Sequence, residues 1–258
     1  MRHLRLQDAA RTLWIDAICI DQQNVAERSE QVGKMGQIYS SATRVLVWLG
    51  PASLDSDLAM GLVDHLGKVL RFDPLSGTFM STSVGATEPH WAHITEPLPY
   101  ELPQLCALES LFARPWFERL WVVQEVLTST EAIVICGRQQ TSWQSIIVTV
   151  CCLVRKDSKM RREGRTSRLV QIDTVFDTSL DHRLLHLVDR TRTLQCTDDR
   201  DRIYAVLSLA KDKVQIKPDY SLCTIKVFGE LVVHVFNQRN AAFLAYCDLG
   251  SRRLDGPS

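Results

Sequence analysis

Residues 13–50 constrain the fold of this chain more than any other stretch. Residues 13–20 form a short apolar run broken only by Asp16, which is typical of a strand covered on both faces. Apolar residues then recur at helical spacing over about 25–42, and residues 44–49 form a second apolar run. A strand, a helix and a strand joined by short loops make a βαβ unit, which predicts a parallel sheet.

The middle of the chain predicts further elements of both kinds. Residues 51–103 are rich in Pro, Gly, Ser and Thr, so we expect a long irregular insertion that contains one amphipathic helix over 58–70. A helical pattern restarts with a first-turn proline and covers 115–127. Residues 132–137 form a third strand, whereas 143–154 are a buried helix or a strand, because periodicity does not separate the two.

Beyond the third strand the sequence predicts a helical portion. Seven basic residues lie within 155–168, and we interpret this stretch as a solvated linker or helix end rather than a nucleic-acid patch. Three helical patterns follow, over 180–187, 200–210 and 224–236. The predicted organisation is an α/β core over residues 1–155, a basic linker over 156–170 and a helical C-terminal portion over 171–258.

The composition of the chain limits the classes of partner that it could bind. The chain has 30 basic and 30 acidic residues, so it has no net field to attract nucleic acid or an anionic membrane. Its eight cysteines include no C-x2-C pair, and several lie in apolar runs, which favours reduced thiols and a cytoplasmic protein. No apolar run approaches the roughly 20 residues of a membrane-spanning helix. We therefore expect no nucleic-acid partner and no membrane.

Several ordered motifs resemble one family. Residues 13–22 (Leu-Trp-Ile-Asp-Ala-Ile-Cys-Ile-Asp-Gln), with Glu27, Arg28 and the apolar positions up to Gly50, are similar to the central signature of fungal heterokaryon incompatibility (HET) domains. Residues 114–125 (Arg-Pro-Trp-Phe-Glu-Arg-Leu-Trp-Val-Val-Gln-Glu) resemble the second block of that family. Two shorter motifs also match, Asp-Arg-Asp-Arg-Ile-Tyr at 199–204 and Pro-Asp-Tyr-Ser at 218–221.

The resemblance implies a fold, and the sequence departs from the family pattern at its N-terminus. HET domains are similar to TIR domains, so it implies a flavodoxin-like, TIR-like parallel sheet flanked by helices, followed by the helical C-terminal portion. Family members open with a strand and a Ser-Tyr-x-Trp-Gly type turn, and nothing similar precedes Arg11. The first strand is therefore expected to be missing. A neighbouring chain or an upstream exon would supply it, or the gene product is truncated and folds poorly.

The resemblance also implies a chemistry. Some TIR domains cleave NAD with a glutamate that follows a tryptophan by four positions, and Trp121 and Glu125 have that spacing here. Nicotinamide leaves NAD as a neutral group, so one carboxylate beside the ribose can stabilise the cationic transition state. Trp121 and Glu125 are thus the catalytic candidates of an NAD glycohydrolase, with NAD as a substrate and no cofactor.

A second group of residues is expected to bind the substrate. Asp21, Gln22 and Asn24 precede a helix N-terminus, where exposed N–H groups can hold a pyrophosphate. Asp16 and Arg28 lie before and after this loop and complete the set for ribose or phosphate contacts. In open α/β folds such loops line the binding crevice.

The same residues also have alternative, purely structural interpretations. Glu125 can instead form a surface ion pair with Arg119, and Asp16 can bond to the backbone or to Arg11. Two histidine pairs, His90 with His93 and His182 with His186, lack the further ligands of a metal site, so none is expected. Alternating charges over 198–202 indicate intramolecular ion pairs.

Two hypotheses of function follow from the resemblance. In the first, the domain triggers programmed cell death after non-self recognition by cleaving NAD. In the second, it is a self-associating signalling module without catalysis, and Glu125 and Arg119 belong to an interface. Partners would then be other copies of the chain or other proteins of the incompatibility system.

Overall fold

The computed structural model describes residues 10–83, 89–156 and 166–238 and has a mixed α/β fold. About half of these residues are helical, and no helix among them is long and apolar enough to cross a membrane. The helices are α1 (Asp16–Cys19), α2 (Val25–Ser41), α3 (Ser56–Val69), α4 (Leu102–Phe112), α5 (Val122–Leu127), α6 (Trp143–Lys156), α7 (Ser167–Phe176), α8 (Leu184–Arg190), α9 (Asp201–Tyr204) and α10 (Thr224–Asn237). The strands are β1 (Val45–Trp48), β2 (Leu70–Asp73), β3 (Thr78–Ser81), β4 (Ala132–Cys136) and β5 (Gln139–Ser142).

The main sheet of the described residues is small and mixed. Its order is β1-β4-β5, with β1 parallel to β4 and β4 antiparallel to β5. Val47 lies opposite Val134 in the parallel pair, and both are fully buried. Helices α3 and α6 pack against β4. The prediction of an α/β fold is confirmed, but this sheet does not confirm the wholly parallel, TIR-like sheet that the resemblance implied.

The strand predicted over residues 13–20 is wrong. Its centre forms the single helical turn α1, closed by a hydrogen bond of 2.8 Å from the Cys19 N–H to the Ile15 carbonyl. Ile18 is 65% exposed, so the apolar run is not covered on both faces as a central strand would be. Without a neighbouring strand the backbone satisfies its polar groups locally, which explains the turn. The predicted βαβ unit is therefore absent, and β1 takes β4 as its parallel partner.

The insertion over residues 51–103 is more regular than predicted. The expected helix is α3, and a hairpin of β2 and β3 follows it directly. Gly77 adopts a φ of +67° in the connecting turn, a conformation that favours glycine. Phe72 and Phe79 pack against each other across the hairpin with ring centroids 5.0 Å apart.

The helix predicted over 115–127 is interrupted. Pro115–Glu118 is a 3-10 turn, and α5 begins only at Val122. Between them the Leu120 N–H donates to the Gln195 carbonyl at 2.9 Å, and the Gln195 N–H donates to the Glu118 carbonyl at 2.6 Å. These bonds to a distant part of the chain replace the bonds that a continuous helix would make.

Other helices agree with the sequence more closely. Asn24 caps α2 by accepting the Glu27 N–H, as its position predicts. The segment 143–154, which periodicity left open, is the helix α6. In the C-terminal portion, the pattern over 200–210 gives only α9 and a 3-10 turn at Leu207–Leu209. The domain boundaries stay predictions, and residues 157–165 of the basic linker lie outside the described residues.

Two hydrophobic cores organise the described residues. The first lies between the main sheet and α3, α4, α6 and α7. The second joins α2 to the C-terminal portion, where Val32 and Met35 meet buried residues of α8, α9 and α10. Tyr39 and Trp121 are partly buried against both cores. As a result, α2 shares a core with residues that come more than 140 positions later, such as Leu184 and Ile203, and it also packs against α5.

One close approach fixes α2 against the C-terminal portion. A Cβ atom on Gly36 would lie 2.4 Å from the Ser208 Cβ and 3.4 Å from the Gln124 Nε2. The first distance is far below van der Waals contact, so this helical position accepts only glycine without displacing the turn at Leu207–Leu209. The tight contact brings α5 and this turn onto the same face of α2.

We expect Gly36→Ala to lower the free energy of unfolding by about 1–3 kcal/mol, because overpacking outweighs the gain in helix propensity. Gly33→Ala, three residues earlier on α2, is the control. Its Cβ would meet only Pro218 atoms at 3.8 Å or more, so it should be neutral or stabilising by up to about 1 kcal/mol. Urea unfolding of both variants measures the difference, and equal effects would contradict the close approach.

Candidate functional site

Glu125 lies on the short helix α5, with buried Gln124 and Val126 on either side in sequence. Its carboxylate is partly buried, and the charges of Asp16 and Arg119 lie close enough to change its pKa. Burial raises the pKa of Glu125 to about 7, while Arg119 lowers it and Asp16 raises it further. Two candidates that are 109 positions apart in sequence, Asp16 and Glu125, therefore lie in one neighbourhood.

Tyr39 of α2 belongs to the same neighbourhood. Its pKa is raised, first by burial and then by the negative charges of Glu125 and Asp16, and Arg119 acts in the opposite direction. Trp14 packs edge-on against Tyr39, with ring centroids 5.7 Å apart. Tyr39 is one of the helix-spaced apolar positions over 25–42, and the sequence does not predict it as a site residue, although a phenol on an apolar helix face indicates a polar partner.

The loop between α1 and α2 is tied together by its own hydrogen bonds. Asp21 accepts the N–H groups of Gln23 and Asn24, through its carboxylate at 3.0 Å and its carbonyl at 3.2 Å. The Asp21 N–H donates to the Glu27 carboxylate at 3.0 Å. Several of the N–H groups expected to hold a pyrophosphate are thus already used within the loop. Gln22 reaches back at 3.3 Å to the backbone carbonyl of Asp16, which links the loop to the candidate site.

Trp121 and Arg28 lie in a different cluster, centred on Asp201. The Trp121 Nε1–H donates to Asp201 Oδ2 at 3.1 Å, and the Tyr220 hydroxyl donates to Asp201 Oδ1 at 2.5 Å. Arg28 lies 3.6 Å from Asp201 Oδ1, and its guanidinium carbon lies 3.6 Å above the Tyr220 ring. The structure therefore gives both candidates polar partners in the C-terminal portion, while the Glu125 N–H donates to the Trp121 carbonyl at 3.2 Å.

Further ion pairs complete this cluster. Arg200 binds both carboxylate oxygens of Asp198, at 2.9 and 2.7 Å, and donates to the carbonyls of Tyr220 and Leu222 at 2.7 Å. Arg28 also contacts Asp198 at 3.4 Å. The prediction that the alternating charges over 198–202 form intramolecular ion pairs is confirmed. Burial raises the pKa of Asp201, although its two hydrogen bonds and Arg28 act against that rise.

The groups around Glu125 are suited to proton transfer and to the stabilisation of a positive charge. A carboxyl group with a pKa of about 7 can accept or release a proton near neutral pH. Together with the nearby Asp16 it can stabilise a positive charge that develops on a bound molecule, in a partly desolvated setting. Arg119 is the neighbouring cation. Among residues 10–83, 89–156 and 166–238 no group of three or more His, Cys, Asp or Glu side chains is placed to hold a metal ion.

Comparisons with known proteins point to one family. Residues 1–125 match the family described as heterokaryon incompatibility protein (HET), a range that includes every candidate residue from Asp16 to Glu125. The chain is 28% identical to heterokaryon incompatibility protein 6, OR allele, of Neurospora crassa over 305 aligned positions. The alignment covers 97% of this chain and 44% of the relative, so the chain spans less than half of that protein's length. No solved structure matches the chain.

The raised pKa of Glu125 makes a prediction about stability. A carboxyl whose pKa rises from 4.5 to about 7 on folding binds its proton more tightly in the folded state. Its contribution to stability is therefore complete below pH 4.5 and is lost as the pH rises through 7. Glu125→Gln should match the parent near pH 4.5 and exceed it by about 1–2 kcal/mol at pH 8, after allowance for partial exposure.

Thermal or urea unfolding between pH 4.5 and 8 measures this difference. Glu131→Gln is the control, because Glu131 is 47% exposed and pairs with Arg44 on the surface. A parent that is more stable than Glu125→Gln at pH 8 would show that the carboxylate is well solvated.

The Asp201 cluster makes a second prediction. Asp201→Ala leaves the Trp121 and Tyr220 donors and the Arg28 charge without their acceptor, so we expect a loss of about 3–5 kcal/mol in the free energy of unfolding. The control Asp199→Ala removes a carboxylate that is 68% exposed and pairs with Arg202, and should cost less than about 1 kcal/mol. Denaturant unfolding of both variants measures these losses. Similar losses for Asp201→Ala and Asp199→Ala would contradict the assigned role of Asp201.

Proposed function

We propose that this chain is a fungal heterokaryon incompatibility (HET) domain protein, an effector of non-self recognition that triggers cell death by cleaving NAD. The match over residues 1–125 and the curated Neurospora relative support the role in incompatibility. The raised pKa of Glu125 beside Asp16 is the observation that carries the chemical part of the proposal. In this proposal the protein acts in the cytoplasm, with other proteins of the incompatibility system.

The proposed reaction breaks the bond between the nicotinamide nitrogen and the ribose C1′. The bonding electron pair leaves with nicotinamide, which becomes neutral, and the ribose carries the positive charge. Glu125 stabilises that charge as a carboxylate, and Asp16 adds a second negative charge nearby. Water then bonds to C1′, and its proton passes to Glu125, whose pKa of about 7 suits this transfer at neutral pH.

The other candidate residues have supporting roles in this proposal. Gln22 bonds to the Asp16 carbonyl and orders the loop beside the site, where Asp21, Asn24 and Arg28 would face the ribose or the phosphates. Trp121 fixes the start of α5 through its bond to Asp201 and so positions Glu125 one turn later. The TIR-like sheet remains part of the proposal, since the described sheet has one parallel pair.

A non-catalytic, self-associating module is the second candidate function. The supporting observation is an exposed apolar stripe on α10, formed by Ile225, Val232 and Phe236, which are 85%, 49% and 69% exposed. These positions are seven and eleven residues apart along the helix and share one face. An exposed stripe of this kind is typical of a surface that pairs with another protein.

Expression of the complete gene product in budding yeast separates the two functions. Cellular NAD and viability are measured for the parent, Glu125→Gln, the control Glu131→Gln and the stripe variant Phe236→Asp. Catalysis predicts that the parent lowers NAD several-fold before viability falls and that Glu125→Gln alone abolishes both effects. If viability falls while NAD is unchanged and only Phe236→Asp restores growth, the proposal of catalysis fails. That result would support the non-catalytic, self-associating module.

The pH dependence of the purified protein adds an independent test. If the reaction needs ionised Glu125, the rate of nicotinamide release should rise about tenfold per pH unit below 7 and level off above it. The profile is measured with NAD at saturating concentration. A rate that is flat between pH 5.5 and 8 would remove Glu125 from the reaction.

A further inference from the structure

The length of α2 separates the neighbourhood of Glu125 from the N-terminus of that helix. Tyr39, which lies in this neighbourhood, comes 14 positions after Val25, where α2 begins. At a rise of about 1.5 Å per residue, the two positions are about 21 Å apart along the helix axis. By the same measure Arg28 is about 16 Å from Tyr39. A group held at the start of α2 is therefore far from the Glu125 carboxylate.

The covalent structure of NAD places its pyrophosphate much closer to the bond that is broken. The ribose C1′ is joined to the nearer phosphorus by a path of about five bonds of roughly 1.5 Å each, so the two atoms lie within about 8 Å of each other. With C1′ beside Glu125, the pyrophosphate cannot also lie at the N-terminus of α2. Its negative charge requires a cation on the Glu125 side of the helix.

Arg119 is the cation of that neighbourhood. Its charge acts to lower the pKa of both Glu125 and Tyr39, so the guanidinium lies near both side chains. The side chain is exposed, and within the described part of the chain it makes no hydrogen bond and no ion pair. Its guanidinium donors are therefore available to a ligand.

The charged groups that could compete with this role already have partners. Glu118, which precedes Arg119, forms an ion pair with Arg168 and accepts a hydrogen bond from Gln195 Nε2 at 2.8 Å. Arg28 is held by two carboxylates of the C-terminal portion, at 3.4 and 3.6 Å. Glu118 therefore does not neutralise Arg119, and Arg28 is committed elsewhere.

The backbone at Arg119 is held in place. Arg119 forms an isolated β-bridge with Gln195, and its N–H donates to the Trp116 carbonyl at 3.3 Å. A bound anion would thus restrict only the rotamers of the side chain. The planar guanidinium presents its N–H donors as a fork that matches two phosphate oxygens.

We propose that Arg119 binds the pyrophosphate of the dinucleotide whose nicotinamide bond lies at Glu125. This inference rests on the proposed cleavage of NAD and adds the residue that holds its phosphates. Asp21, Asn24 and Arg28, near the start of α2, are then left to the adenosine half of the molecule. Because a nucleoside has no oxygens for the guanidinium fork, the site selects a dinucleotide over a nucleoside.

Isothermal titration of the complete chain with ADP-ribose tests the contact without cleavage. ADP-ribose keeps the pyrophosphate and has no nicotinamide bond left to break. We expect Arg119→Gln to bind it at least about tenfold more weakly than the parent, and Arg119→Lys to lie between them because it keeps the charge but not the fork. No binding by the parent at millimolar concentration, or equal affinity of the parent and Arg119→Gln, overturns the proposal.

Arg138→Gln is the matched control for this titration. Arg138 is also exposed and makes no ion pair within the described residues, but it follows β4 whereas α5 precedes that strand. Its variant should bind ADP-ribose as the parent does, and an equal loss would reduce the effect of Arg119 to general charge. Urea unfolding should give every variant a stability within about 1 kcal/mol of the parent, since the replaced side chains are exposed.

Nicotinamide release separates the phosphate contact from the chemistry. NAD and nicotinamide riboside contain the same bond to be broken, but only NAD has a pyrophosphate. At about pH 8.5, where Glu125 is ionised, Arg119→Gln should raise the KM for NAD about tenfold with little change in kcat. Release from nicotinamide riboside should be unchanged. Equal losses for both substrates would show that Arg119 acts on Glu125 or on the broken bond, and would overturn the proposal.

The two measurements distinguish a failure of this inference from a failure of the proposed function. If the parent releases no nicotinamide from NAD but binds ADP-ribose through Arg119, the proposed cleavage fails and the phosphate contact stands. If the parent cleaves NAD and Arg119→Gln changes neither the affinity for ADP-ribose nor the KM, the phosphate contact fails and the cleavage stands.

Discussion

The buried carboxylate of Asp201 is the contact on which the described structure depends. It accepts hydrogen bonds from Trp121 and Tyr220 and lies beside Arg28, so one side chain connects α2, the start of α5 and the C-terminal portion. A carboxylate with 4% exposure is costly unless it is paired and hydrogen-bonded, and here both oxygens have donors. The same contact holds α5 in place and thereby sets the position of Glu125, which is four residues beyond Trp121.

Local signals in the sequence were sufficient for some elements and not for others. The cap at Asn24 and the apolar spacing that follows it predict α2, and the apolar run before Gly50 predicts β1, because these signals act within a few residues. The strand predicted over residues 13–20 was wrong and the helix predicted over 115–127 was incomplete, because both structures depend on distant parts of the chain. A strand needs a neighbour that no local pattern guarantees, and the break near Arg119 arises from bonds to Gln195, 75 or more positions away.

The candidate site was predictable to a similar degree. Asp16 and Glu125 were selected from resemblance and motif, and the fold brings them into one electrostatic neighbourhood. Arg28 and Trp121 belong to the same motifs, but their partners lie in the C-terminal portion, which no spacing within the motifs could reveal. Tyr39 was overlooked because a helix-spaced aromatic residue resembles ordinary core packing.

The pairing of α2 with late parts of the chain has a consequence for synthesis. Ser29 accepts the backbone N–H of Tyr220, 191 positions later, at 2.9 Å. A ribosome that adds about 5–20 residues per second needs on the order of 10–40 seconds to make the intervening stretch. During that interval the nascent polypeptide lacks the segment that clamps its early helix. The fold of this region would thus be completed only near the end of its translation.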